Sequence, residues 1–185
     1  LTLSAGSEKA VGGLIGAYSV TSARNGTPIN FDLSQYQFER IKVTGGKDVG
    51  GLFGALTNTS TTSATVTVSG KTTSAITTNV TENQVTNLGG LIGTYDTVES
   101  TNSNSAAVMK NTLAIKGDSN TAGSFIVAAT KGGRKANTTY GGVIGSVSGS
   151  SYVEIENVSA SIADMKNSDK TSVGGLVGKI NDGFL

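Results

Sequence analysis

The sequence predicts an all-β chain wound as a parallel β-helix (a β-solenoid) of about five imperfect repeats, and three observations carry that expectation. One phrase returns five times, as Val11-Gly12-Gly13-Leu14-Ile15-Gly16, Val49-Gly50-Gly51-Leu52-Phe53-Gly54, Leu88-Gly89-Gly90-Leu91-Ile92-Gly93, Tyr140-Gly141-Gly142-Val143-Ile144-Gly145 and Val173-Gly174-Gly175-Leu176-Val177-Gly178. Short segments of strict apolar–polar alternation recur between its copies. Thr, Ser, Asn and Gly dominate the composition and there is a single proline, Pro28, a balance that favours strands and turns over helices. Self-similarity over tens of residues marks stacked units, each of which buries its apolar face only against the next.

The first glycine of the phrase stands at 12, 50, 89, 141 and 174, so its spacings are 38, 39, 52 and 33 residues. Strand alternation puts Val11, Gly13 and Ile15 on one face and Gly12, Leu14 and Gly16 on the other. Leu14 and Ile15 then point opposite ways, as do their counterparts in every copy. Either the strand is buried on both faces, or glycine permits a bulge that turns both side chains inward. The expectation taken here is burial on both faces. Stacking would align Leu14, Leu52, Leu91, Val143 and Leu176 in one ladder and Ile15, Phe53, Ile92, Ile144 and Val177 in another.

A second strand per repeat is predicted by Ile41-Lys42-Val43-Thr44-Gly45, Val66-Thr67-Val68-Ser69-Gly70 and Leu113-Ala114-Ile115-Lys116-Gly117, and more loosely by Val158-Ser159-Ala160-Ser161-Ile162. Alternation of this kind marks a strand with one buried face. The long third interval adds a further strand candidate, Ser124-Phe125-Ile126-Val127-Ala128-Ala129. Segments 57–64, 97–106 and 131–139 have loop composition, and Phe31 to Phe38 is read as one helical turn. Residues 1–185 thus form one domain or a stretch of a longer array. The alternative fold, an antiparallel β-sandwich, gives no reason for five copies of one phrase. Leu1 stands where an initiator Met is expected, and unpaired strand edges at both ends need covering. The chain therefore reads as part of a larger precursor with flanking domains.

Composition excludes several function classes. A net charge of +1 and the lack of a clustered basic face argue against nucleic acid as a partner; Lys131, Arg134 and Lys135 read as a solvated cluster. No apolar run reaches the ~18 residues of a membrane span, so no membrane insertion of this segment is expected. Cysteine and histidine are both absent, which removes disulfides, Cys-based zinc sites and the commonest general base. No catalytic, cofactor-binding or metal-ligating residue is assigned, and no cofactor is expected.

Weaker candidates remain. Glu154 and Glu156 share one strand face and could act as a carboxylate pair on polysaccharide, although like charges on a solvated face account for them more simply. Asp96 with Glu99, and Asp164 with Asn167 and Asp169, offer oxygen ligands of the type calcium takes, but without a dense ligand pattern. Asn25, Asn58, Asn79, Asn137 and Asn157 each begin an Asn-x-Ser/Thr sequon. An ice-binding Thr row is rejected, because the outward pairs Lys42/Thr44, Thr67/Ser69, Ala114/Lys116 and Ser159/Ser161 are not uniform. Among the tyrosines, Tyr18 and Tyr95 hold equivalent places just after the Gly phrase and are the candidate ligand surface, although packing at the edge of the core with a wet hydroxyl accounts for them more simply.

The Leu14-Ile15-Gly16, Leu52-Phe53-Gly54, Leu91-Ile92-Gly93 and Leu176-Val177-Gly178 steps resemble the GLUG motif, a short bacterial repeat, and Val143-Ile144-Gly145 departs from it by Leu to Val. The segment Asn111 to Gly117 is similar to the second half of that repeat. The resemblance covers nearly the whole chain. It implies a β-helical segment of a bacterial cell-surface or secreted protein, adhesin-like or from a non-catalytic part of an immunoglobulin A peptidase. Its partner would be host protein or glycan, and the motif carries structural residues with no catalytic ones.

Overall fold

The computed structural model describes residues 1–6, 9–21, 28–34, 40–44, 46–60, 64–70, 76–80, 85–97, 111–118, 125–131, 138–149, 151–163 and 172–182. All regular structure among them is strand. The strands fall into four quartets and a closing triplet. The first quartet is β1 (Thr2–Ser4), β2 (Ala10–Gly12), β3 (Ile15–Val20) and β4 (Ile29–Asp32). The second is β5 (Arg40–Thr44), β6 (Asp48–Gly50), β7 (Phe53–Asn58) and β8 (Thr65–Gly70). The third is β9 (Ile76–Val80), β10 (Asn87–Gly89), β11 (Ile92–Thr97) and β12 (Asn111–Gly117). The fourth is β13 (Phe125–Lys131), β14 (Thr139–Gly141), β15 (Ile144–Ser148) and β16 (Ser151–Glu156). The triplet is β17 (Val158–Ala163), β18 (Ser172–Gly174) and β19 (Val177–Asn181).

Each strand pairs with the strand four places along. Four sheets result: A (β1-β5-β9-β13-β17), B (β2-β6-β10-β14-β18), C (β3-β7-β11-β15-β19) and D (β4-β8-β12-β16). Every pairing among the described residues is parallel, which removes the antiparallel sandwich. The register brings like residues together. Val11, Val49, Leu88, Tyr140 and Val173 form one row in sheet B. Ile15, Phe53, Ile92, Ile144 and Val177 form another in sheet C. In sheet D the inward rows are Ile29–Val66–Leu113–Val153 and Phe31–Val68–Ile115–Ile155. Members of these rows from the middle quartets make up the buried core.

The recurring phrase is not one strand, which corrects the expectation of a strand buried on both faces. Its first two residues end a sheet B strand, its next two form a bend, and its last two begin a sheet C strand. Both apolar side chains of the central copies point inward, with Leu52, Phe53, Leu91 and Ile92 fully buried, because the chain turns between them. The corner is closed by main-chain bonds to the next copy: Leu52 N–H and Phe53 N–H both donate to Leu91 O, at 2.9 and 3.0 Å.

The alternating segments also sort differently from the expectation. Those beginning at Val66 and Leu113 lie in sheet D (β8, β12), whereas those at Ile41 and Val158 lie in sheet A (β5, β17). The expectation of at least two strands per repeat is met with four, one to each sheet. The strand expected at 124–129 is β13, and sheet A receives one such strand from every repeat. The helical turn expected from Phe31 gives way to β4 and a turn in which Ser34 N–H donates to Asp32 Oδ1 at 2.9 Å; residues 35–39 lie outside the described residues.

Candidate functional site

The glycines of the phrase have separate steric tasks. A Cβ on the first glycine (Gly12, Gly50, Gly89, Gly141 or Gly174) would run into the carbonyl oxygen three residues ahead, across the bend. The last glycine (Gly54, Gly93, Gly145 or Gly178) faces backbone of the preceding quartet: a Cβ on Gly93 would press on Gly54 O and lie 2.5 Å from Val49 N. The middle glycine acts between copies. At Gly142 a Cβ would strike Gly175 O and lie 2.8 Å from the Ala160 Cβ, whereas at Gly175 it would meet nothing within 4 Å. The sheet B–sheet C corner is therefore a backbone-to-backbone seam, and close approach of this kind is what missing Cβ atoms permit.

Opposite in character is the corner between sheets C and D, which is polar and buried. Asn58 and Asn111 sit at the end of β7 and the start of β12. Asn111 Oδ1 accepts from Ala64 N–H at 3.2 Å, and its Nδ2 donates to Ser60 O at 3.2 Å and Asn58 O at 3.4 Å. Asn58 Nδ2 donates to Ala64 O at 3.3 Å while its Oδ1 accepts from Ser60 N–H at 3.3 Å. One repeat on, the Thr97 and Ser151 hydroxyls meet at 3.0 Å, and Ser151 Oγ donates to Ser148 O at 2.6 Å. No buried side-chain N or O among the described residues lacks a partner. These amides replace missing main-chain pairing where the chain leaves one sheet for the next, the task buried polar groups must perform to be tolerated. Sequence reasoning missed them, because Asn and Ser in such segments read as loop composition. Asn58, noted there only as a sequon, is buried, while Asn157 is exposed at positive φ (54°) in the turn between β16 and β17.

The tyrosine surface is corrected. Tyr18 and Tyr95 do share one row, each opposite Leu56. But Tyr95 is fully buried, with its hydroxyl donating to Asn111 O at 3.4 Å. Burial pushes its pKa well above the usual phenol value, partly offset by a hydrogen bond with Asn58. Tyr18 is half-buried and belongs to an aromatic cluster: its ring lies 5.4 Å from Phe31 and 6.4 Å from Phe53, with Phe31 and Phe53 5.0 Å apart. The two tyrosines are equivalent in register, as expected, but their row points inward and packs against the core.

Several outward groups pair across strands. Lys116 Nζ stands 3.4 Å from Glu154 Oε2 and 3.6 Å from Glu156 Oε2, so a single cation bridges the carboxylate pair. Asn87 Nδ2 donates to Asp48 Oδ1 at 2.7 Å, and Ser148 Oγ donates to Asp96 Oδ1 at 2.7 Å. Glu99, Asp164, Asn167, Asp169, Arg134 and Lys135 lie outside the described residues. Connections between strands vary in a patterned way. The sheet B–sheet C step is always two residues, at 13–14, 51–52, 90–91, 142–143 and 175–176, whereas the sheet C–sheet D step runs over 21–28, 59–64, 98–110 and 149–150. Comparison with family models, curated proteins and solved structures yields no match.

Proposed function

We propose that the chain is a parallel β-solenoid, one quartet to a coil, serving as a non-catalytic binding or spacer module of a large bacterial cell-surface or secreted protein of the GLUG-repeat kind. The observation that carries this reading is the contrast between corners. One corner is held at two residues by a glycine seam, while the sheet C–sheet D connections vary from two residues (149–150) to thirteen (98–110). A scaffold whose repeats are elastic at selected corners presents variable segments from a stiff frame. Host protein or glycan would meet the Thr, Asn and charged groups of those segments.

The test is binding of the whole chain to arrayed glycans and extracellular host proteins, with a second chain in which 98–110 is replaced by Gly and Ser. Binding that the replacement abolishes, with circular dichroism unchanged, supports an adhesive role, and no binding by either chain leaves the spacer role. Polysaccharide cleavage lost in Glu154→Gln and Glu156→Gln would overturn both. The salt-bridged setting of these carboxylates speaks against that chemistry, since one lysine on the neighbouring strand holds both.

A further inference from the structure

The sequon Asn58-Thr59-Ser60 lies in the second quartet, with neighbours on both sides. Asn58 is aligned between Val20 of the first quartet and Thr97 of the third, and Asn58 and Ser60 are both 0% exposed. Each residue of the sequon is held. Asn58 Nδ2 donates to Ala64 O and its Oδ1 accepts from Ser60 N–H, both at 3.3 Å. Thr59 N–H and Oγ1 both donate to Val20 O, at 2.8 and 3.2 Å. From the following repeat, Asn111 Nδ2 donates to Asn58 O at 3.4 Å and to Ser60 O at 3.2 Å.

Glycosyl transfer to this amide would join Nδ2 to the anomeric carbon of a diphosphate-linked sugar, with loss of one amide proton and departure of the diphosphate. The product is a bulky, water-seeking group on an atom that is packed against Ala64 O. The folded corner can neither present Nδ2 to a transferase nor hold the product, but the unfolded chain can do both. Asn111 and Asn58 are 53 residues apart, so the sequon is synthesised well before the residue that closes over it. At roughly 5–20 residues per second that interval is about 3–10 s.

We infer that glycosylation and folding exclude each other at Asn58. The amide accepts a sugar only in the nascent or unfolded chain, and a chain modified there cannot close its sheet C–sheet D corner. The four sheets therefore form only where no sequon-directed transferase meets the emerging chain, whatever the module binds.

Two arms test this. In the first, the whole chain is directed by an appended signal into a eukaryotic secretory pathway. Most of the wild type should be retained in the cell with a glycan on Asn58, and the secreted fraction should carry none there by peptide mapping. Ser60→Ala removes the sequon and keeps the main-chain contacts of residue 60, so it should raise secretion at least fivefold; circular dichroism of the same variant made in bacteria checks that it folds. The second arm needs no substitution. A soluble sequon-directed transferase with a nucleotide-linked sugar should modify Asn58 in the tryptic peptide 48–71 and leave Asn58 of the folded chain untouched. Transfer to Asn58 in the folded chain, no transfer to it in the peptide, or a secreted, folded chain glycosylated at Asn58 overturns the proposal. So does a wild type secreted as freely as a Ser60→Ala chain that folds normally in bacteria.

Discussion

Replacing Gly93 by alanine probes the seam on which the stack depends. The added Cβ would press on Gly54 O and stand 2.5 Å from Val49 N and 2.8 Å from Asp48 C, all backbone atoms of the preceding quartet. Ordinary contact is near 3.5 Å, so the β10–β11 corner must withdraw by about 1 Å. That movement stretches the bonds from Leu52 N–H and Phe53 N–H to Leu91 O, now 2.9 and 3.0 Å, beyond useful range. Each is worth about 1 kcal/mol net, and loosened packing of Leu52 on Leu91 brings the cost to about 3 kcal/mol, at the upper end for overpacking. With a urea slope of roughly 2 kcal/mol/M, the midpoint should fall by about 1.5 M. Gly16 holds the same place in the first quartet, where its Cβ would meet Ala10 O at 3.0 Å and Ala10 C at 3.9 Å. Gly16→Ala should therefore cost under about 1 kcal/mol. Urea unfolding followed by circular dichroism compares the two. Coincident midpoints would refute the account of the seam.

Three further outcomes follow from the same contacts. Leu91→Ala removes a fully buried side chain and should cost about 2–5 kcal/mol, whereas Leu176→Ala, at the exposed end of the same ladder, should stay under about 1 kcal/mol; thermal unfolding separates them. Asn111→Ala leaves Ala64 N–H and the Ser60 carbonyl without their partner and should cost about 3 kcal/mol, with amide exchange rising first at Ala64. Tyr95 gives a pH signature. Because burial holds its folded pKa above the unfolded value near 10, the folded state keeps a proton that the unfolded state loses, and stability falls as pH rises above about 10. Tyr95→Phe should flatten that decline in unfolding curves recorded between pH 8 and 11.5, and an unchanged slope would count against the buried hydroxyl.

What could be read from the sequence was whatever repeats locally. The Leu-Ile pair beside glycine foretold two ladders; the strand register aligns the one from Ile15 to Val177, and the corner main-chain bonds align the one from Leu14 to Leu176. The side chains' common direction was misjudged, since strand alternation was applied across a bend that only the glycine seam explains. Assignment of strands to sheets was out of reach: alternation at Ile41 and at Val66 is the same whether the segment lies in sheet A or sheet D. The polar corner was hidden for another reason. Ala64 and Asn111 are 47 residues apart in sequence, and Asn, Ser and Thr become buried there only through stacking of successive repeats.

That polar corner bears on where variation is allowed. An inserted residue at the sheet B–sheet C bend would displace Gly54 or Gly93 from backbone it already touches, so the seam tolerates no change of length. The sheet C–sheet D step is held differently. Asn58 and Thr97 end their strands and Asn111 and Ser151 begin theirs, and the Asn58–Asn111 and Thr97–Ser151 bonds tie each strand end to the strand start one repeat on, which holds both feet of the 98–110 connection. Once the feet are fixed, the length between them is thermodynamically cheap, since each doubling of a loop costs only about 0.6 kcal/mol. A change of length between Thr97 and Asn111 is therefore cheap, in keeping with steps of two to thirteen residues at this corner. A repeat that holds one corner at two residues and lets the sheet C–sheet D step run from two residues to thirteen keeps its stacked rows in register while its connections change in length.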